Sequence, residues 1–354
     1  MKQIQLKTIF AVVTILAVLS ACKKDRVNPV EIPQKGVYIL SQGNIGKNNS
    51  VLSFYNSITK NTTSDIFSSV NGRGIGDTGN DAKIYGSKMY ITVNYSSTLE
   101  IVDAKTAKTI KQIKMDNGGT NREPRYVVFD KNKAYISSYD GTVAVLDTAS
   151  LTIEKYISVG RNPEQMVVSN GKIYVANSGG LDFANPDKTV SVISIATGIE
   201  IKKIDLATTN PINIAADAYG DVYVIAYGTD YPAHPKLTTI DNTTDVVKNT
   251  VDIDAGYGTS FIIVGDQAYY LSDAGKVKVY NVKTETVTNQ SFVTDATAIK
   301  VPYGIAVDPT TGEVFVTDAV DYTNNGRIYV FDKTGKLEYD VTTGINPGAI
   351  VILK

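Results

Sequence analysis

The chain of 354 residues holds one cysteine, one histidine and no tryptophan. Each scarcity excludes something. With Cys22 alone, no intramolecular disulfide forms, so an exported domain must rely on a large core. A Ser-His-Asp hydrolase would have to run through His234, which sits in the rigid loop "YPAHP", and no G-x-S-x-G elbow occurs. Without tryptophan the WD dipeptide of WD40 propellers is impossible, and kelch repeats match poorly. A formal net charge of −1 lacks the basic excess that nucleic acid would require.

Long apolar runs are also missing. The longest, Ile9–Leu19, has 11 residues, short of the ~20 that span a bilayer as a helix. It follows Lys2 and Lys7 and precedes "LSAC" at Leu19–Cys22, which fits a secretory signal ending in a lipobox. The expected organisation is therefore a lipoprotein signal peptide over 1–21, a lipidated Cys22 with a polar tether over 22–35, and one domain over 36–354. An ordinary signal peptide is the plainer reading of the same segment. Loss of Lys2 and Lys7 with the leader takes the formal net charge from −1 to −3. The "KKD" after Cys22 resembles the export signals of surface lipoproteins in Bacteroides-type bacteria.

What is abundant is one strand pattern, repeated. "VYILS", "MYITV", "AYISS", "IYVAN", "VYVIA", "AYYLS" and "VFVTD" begin at Val37, Met89, Ala134, Ile173, Val222, Ala268 and Val314, with Tyr or Phe second in all seven. The steps are 52, 45, 39, 49, 46 and 46 residues. Alternating segments such as "TVAVLD" and "TVSVIS" follow each, then a Thr/Gly/Asn-rich turn and a fourth strand. Four-stranded antiparallel units at this period predict an all-β, seven-bladed propeller. The 319 residues from Gly36 divide into seven units of about 46. A right-handed β-helix is the runner-up, but its rungs are shorter. The first hairpin lacks a leading strand and the C-terminal "PGAIVIL" is surplus, so the last strand should pair beside Val37–Ser41 and close the ring. The run Ile350–Leu353 should be buried on both faces.

Length variation falls on one face of the disc, in loops such as "GNIGKNNS", "GGLDFANPDK", "YGTDYPAHPK" and "AVDYTNNG". That face is the expected binding surface. Its tyrosines are Tyr95, Tyr139, Tyr227, Tyr231, Tyr257, Tyr303 and Tyr322, each able to offer an apolar ring with a polar tip or simply to cap blade packing. Alignment of the innermost strands places Asn80, Arg125, Glu164, Ile212, Thr259, Tyr303 and Gly348 at the channel mouth, with Asp81, Tyr126, Gln165, Asn213 and Ser260 behind them. Asp81, Glu164 and Asn213 offer some oxygens for calcium, although Arg125 shares their ring. Glu164 with Glu123 or Asp81 leaves a carboxylate pair open. "GIGDTG" at Gly74–Gly79 matches a dinucleotide pattern, but a strand pattern follows it where a helix is required.

"GDTGNDAKIYGSKMYITVNYSSTLEIVDAKT" from Gly76, "PRYVVFDKNKAYISSYDGTVAVLD" from Pro124 and "VGRNPEQMVVSNGKIYVANSG" from Val159 resemble YncE-like, YVTN-repeat propellers. More closely they resemble the DUF5074 surface lipoproteins of Bacteroidota. That resemblance, over the whole mature domain, implies the BtuG-type role: a non-enzymatic lipoprotein of the outer membrane that binds cobalamin or another corrinoid and passes it to a TonB-dependent transporter. No cofactor is called for. The site expected from topology is Asn80, Asp81, Arg125, Tyr139, Glu164, Gln165, Asn213, Tyr227, Tyr231, Tyr257, Tyr303 and Tyr322. A glycan- or protein-binding propeller and a calcium-dependent lactonase are the alternatives.

Overall fold

The computed structural model describes residues 35–229 and 234–354. The leader, Cys22, most of the tether and Tyr231 lie outside the described residues. Seven four-stranded antiparallel sheets follow one another along the chain, the propeller that the repeat predicts. Blades 2 to 7 start with the inner strands Gly79–Tyr85, Pro124–Asp130, Pro163–Ser169, Pro211–Ala216, Ile262–Val264 and Pro302–Val307. Blade 1 combines both ends of the chain. Its inner strand is Pro347–Leu353, followed outward by Gly36–Ser41, Val51–Asn56 and Thr62–Thr63. The closing register sets Val37 opposite Ile352, Tyr38 opposite Val351 and Ile39 opposite Ile350. Closure pairs a strand edge that would otherwise template aggregation.

The repeated aromatic has a defined task. Tyr38 donates its hydroxyl proton to Ala104 O at 3.0 Å, and Tyr223 to Val282 O at 3.0 Å. Tyr174 reaches Asn242 O at 3.2 Å and the Asp245 carboxylate. In each case the acceptor lies in the turn between strands three and four of the next blade. The ring fills the gap between two sheets while its tip fastens the neighbour. Buried apolar clusters accordingly straddle blade boundaries, as where Val37 and Ile39 of blade 1 meet Phe315, Ile328 and Val330 of blade 7.

Three details depart from the sequence expectation. The fourth strand of blade 1 is only two residues long, and a short helix, Ile66–Asn71, follows it. Asp65 caps this helix by accepting from Ser68 N, Gly72 ends it at φ 68°, and Ile66 and Phe67 are buried. A two-residue hairpin, Asp116–Asn117 with Thr120–Asn121, links blades 2 and 3. Finally, the closing strand is not buried on both faces. Val351 and Leu353 are buried, whereas Ile350 and Ile352 are half-buried and line the central channel. An innermost strand has no neighbour on its channel side, which leaves these side chains partly uncovered.

Deleting Pro347–Lys354 should destroy cooperative folding. Val351 and Leu353 are each worth ~1.5–3 kcal/mol by burial alone, against ~5–15 kcal/mol for a whole domain, and the ring opens as well. Thermal melting by circular dichroism checks this. A truncated protein that melts within a few degrees of the full chain would contradict the closed ring.

Candidate functional site

The mouth of the channel is built by one irregularity used repeatedly. Pairing of the inner strand with the second strand skips at Gly79/Asp81, Pro124/Val127, Pro163/Met166, Pro211/Asn213 and Pro302/Ile305. The closing strand skips likewise, between Pro347 and Ala349. The residues left out are Asn80, Arg125–Tyr126, Glu164–Gln165, Ile212, Tyr303–Gly304 and Gly348. A bulge turns a side chain out of the ladder, here toward the axis of the ring. Asn162, Asn210 and Asn346 precede three of the prolines at φ of 44°, 60° and 54°, a left-handed conformation that Asn tolerates better than most residues.

Hydroxyls on the second strands hold the bulges. Thr92 Oγ1 accepts from Asp81 N at 3.0 Å and donates to Arg125 O of the next blade at 2.6 Å. Ser137 does the same between Tyr126 N (3.1 Å) and Glu164 O (2.8 Å). Thr317 links Gly304 N (2.7 Å) to Pro347 O (2.6 Å). At this last bulge a Cβ on Gly304 would lie 2.3 Å from Gly348 O, so only glycine fits.

These strands enclose a cavity of about 930 Å³. Of the expected site residues, it is lined by Asn80, Asp81, Arg125, Tyr139, Glu164, Gln165, Tyr257 and Tyr303. At its centre Arg125 donates from Nε (2.9 Å) and Nη2 (2.8 Å) to Glu164 Oε2, and from Nη1 to Asn80 Oδ1. Asn80 returns a bond to Arg125 O at 2.6 Å. Tyr139 donates to Glu164 Oε1 at 2.6 Å. The Arg125 guanidinium also lies 4.6 Å from the Tyr139 ring centre and 5.5 Å from that of Tyr126. Burial opposes the charge on Arg125, but adjacent Glu164 outweighs it and holds the guanidinium above its ordinary value. Burial raises the Tyr126 and Tyr139 hydroxyls and pushes Tyr303 up to about 12, so all three stay neutral donors.

The remaining expected residues lie elsewhere. Asn213 and Tyr227 do not line the cavity. Both are buried behind it, with the Tyr227 hydroxyl 2.8 Å from Asn213 Oδ1 and 3.0 Å from Gly256 O. Tyr227 is thus a packing residue whose ring supports exposed Tyr257, with ring centres 5.1 Å apart. Tyr322 is half exposed and sits edge-on to Tyr303 at 6.1 Å. Thr259 is buried, with its hydroxyl accepting from Leu271 N. Gln165 bridges Ser260 Oγ at 3.4 Å and Ile214 N at 3.3 Å, which ties blade 4 to blades 5 and 6. Gln42, which the strand alignment does not single out, accepts from the Tyr303 hydroxyl at 2.7 Å and lines the cavity. It directly follows a strand of blade 1, and that adjacency was the available signal.

Glu164 is the committed carboxylate, and Asp81 is engaged through Oδ2 alone. Glu164 uses both oxygens on Arg125 and Tyr139, while Asp81 accepts from Val127 N at 3.1 Å and lies 3.8 Å from Lys83 Nζ. Asp81, Glu164 and Asn213 therefore do not converge as free oxygen donors. Among the described residues, no three His, Cys, Asp or Glu side chains are placed to hold a metal ion.

The Arg125 side chain is 17% exposed and that of Glu164 is 4% exposed. Removing one partner of such a pair costs ~3–5 kcal/mol, whereas apolar replacement of both is often neutral or better. Arg125→Ala should lose that much in chemical denaturation, and Arg125→Met with Glu164→Leu should recover most of it. A near-neutral Arg125→Ala would show that the pair is not desolvated.

Solved structures with the same architecture have low sequence identity. A quinoprotein alcohol dehydrogenase-like protein from Bacteroides thetaiotaomicron aligns at a TM-score of 0.65 and 19% identity, covering 91% of this chain and 79% of its own. Hydrazine synthase from Kuenenia stuttgartiensis gives 0.63 and 16%, covering 77% and 89%. The computationally designed protein Ika8 gives 0.57 and 16%, covering 90% and 91%. At these identities the likeness is one of fold. A search of curated proteins returns no significant match. The family model described as domain of unknown function DUF5074 matches residues 35–347, and the chain belongs to that family.

Proposed function

We propose that this propeller is the binding domain of a surface lipoprotein that captures a corrinoid at its channel mouth for a TonB-dependent outer-membrane transporter. The observation that carries the reading is the bulged ring, which brings polar and aromatic side chains of successive blades to one cavity. A corrinoid is a broad disc fringed with amides. Tyr139, Tyr257 and Tyr303 offer flat rings to its faces, and Gln42 and Ser260 offer uncharged donors and acceptors to its rim. The resemblance to BtuG-type lipoproteins supports the same ligand class. The lipobox at Leu19–Cys22 supports an anchor at the membrane. Binding without turnover is the simplest use of this mouth, because Glu164, the carboxylate at its centre, already serves Arg125 and Tyr139 with both oxygens.

Isothermal titration of the purified protein with cyanocobalamin tests the proposal. One-to-one binding below micromolar is expected. Tyr257→Ala should weaken it at least ten-fold, ~1.4 kcal/mol, with little change in Tm because that residue is 67% exposed. Absence of binding would sink the corrinoid, and an unchanged affinity in the variant would sink this face.

A further inference from the structure

The channel changes character along its length. The loop-side end carries Asn80, Arg125, Glu164 and Tyr303, whereas the wall toward the short turns is mostly aliphatic, with the six side chains Val128, Val168, Ala216, Ile263, Val307 and Ile352, and blade 2 sets Lys83 at the level of Val128. Four of these six, Val168, Ala216, Ile263 and Ile352, are only half-buried although they belong to the innermost strands. Aliphatic surface left uncovered inside a narrow channel gains by being covered, and the volume of about 930 Å³ is that of a small-molecule site. The charges along the cavity cancel. Its acids are Asp81 and Glu164, its bases Lys83 and Arg125, and they stand 3.8 Å and 2.8 Å apart as pairs. An anion entering here would have to compete with Glu164 for Arg125 and with Asp81 for Lys83, which disfavours its burial.

We infer that the channel below the polar mouth is a receptor for an uncharged apolar group. The group is an alkyl chain or an aromatic ring, carried by a ligand whose polar part stays among Asn80, Arg125 and Tyr303. The inference rests on the mouth being a ligand site, and it adds what the deeper half of that site selects. A neutral amphipathic ligand spans both halves, and a purely polar one uses only the upper half.

The probe is N-phenyl-1-naphthylamine, a neutral apolar dye that brightens in apolar surroundings. The full chain should bind one equivalent saturably. Val168→Thr with Ile263→Thr makes two blades of the wall polar while keeping β-branched side chains, and should weaken the dye at least ten-fold. Ile350→Thr alone should weaken it in the same direction. On the unmodified protein, 1-octanol should displace the dye and octanoate should need at least ten-fold more. Dye binding that does not saturate, that survives both wall variants unchanged, or that yields equally to octanol and octanoate overturns the inference. Cyanocobalamin titration of the same proteins reads the mouth separately. Corrinoid binding without dye binding rejects the apolar receptor alone, and dye binding without corrinoid binding rejects the corrinoid alone.

Discussion

Seven inner strands can share one axis only if the last strand of the chain lies beside the first. The pairing of Pro347–Leu353 with Gly36–Ser41 meets that constraint. It completes blade 1 from both ends of the chain and brings Gly348 into the same ring as Asn80 and Tyr303. Everything at the mouth is downstream of it. Gln42 meets the Tyr303 hydroxyl because the closing strand sets blade 1 against blade 7. Thr317 holds the bulge of blade 7 and, through Pro347 O, the start of the closing strand. The tyrosine fastenings act at the opposite ends of the blades. The disc is thus tied by backbone pairing at one seam and by side-chain hydroxyls between blades.

The repeat made the architecture legible because each unit shows the same physical signature. An aromatic sits second in a buried strand, an alternating strand follows, and a Thr/Gly/Asn turn comes next. Tyr38, Tyr174 and Tyr223 show why that aromatic recurs: it fills the gap between blades and bonds the next turn. The same periodicity placed Asn80, Arg125, Glu164 and Tyr303 at the channel, since they stand at equivalent positions after Pro or Gly. It set Asp81, Tyr126, Gln165, Asn213 and Ser260 one position behind, and of these all but Asn213 line the cavity. Ile212 and Asn213 are neighbours in sequence, yet one lines the cavity and the other pairs with buried Tyr227. The local partner decides, since Asp81 follows the same one-residue skip as Asn213 and yet lines the cavity, whereas Asn213 is drawn to the Tyr227 hydroxyl. The short helix after blade 1 was illegible, since six residues are too few to display a helical period.

Electrostatics narrows what the mouth can do. Arg125 alone would read as an anion site, and Glu164 alone as a general acid. Bonded to each other and ringed by Tyr139 and Asn80, they form a fixed, neutral dipolar patch. Such a patch can orient amides and hydroxyls without requiring either partner to change charge. Beneath it the channel wall is mostly aliphatic.

Hydrogen–deuterium exchange with and without saturating cyanocobalamin tests most directly whether the bulged mouth is the binding surface. Slower exchange is expected in the loop-side segments 94–97, 139–141, 178–188 and 319–326, with the turns at 170–171 and 265–266 unchanged. Protection confined to those turns, or to the outer strands, would contradict a binding surface at the mouth.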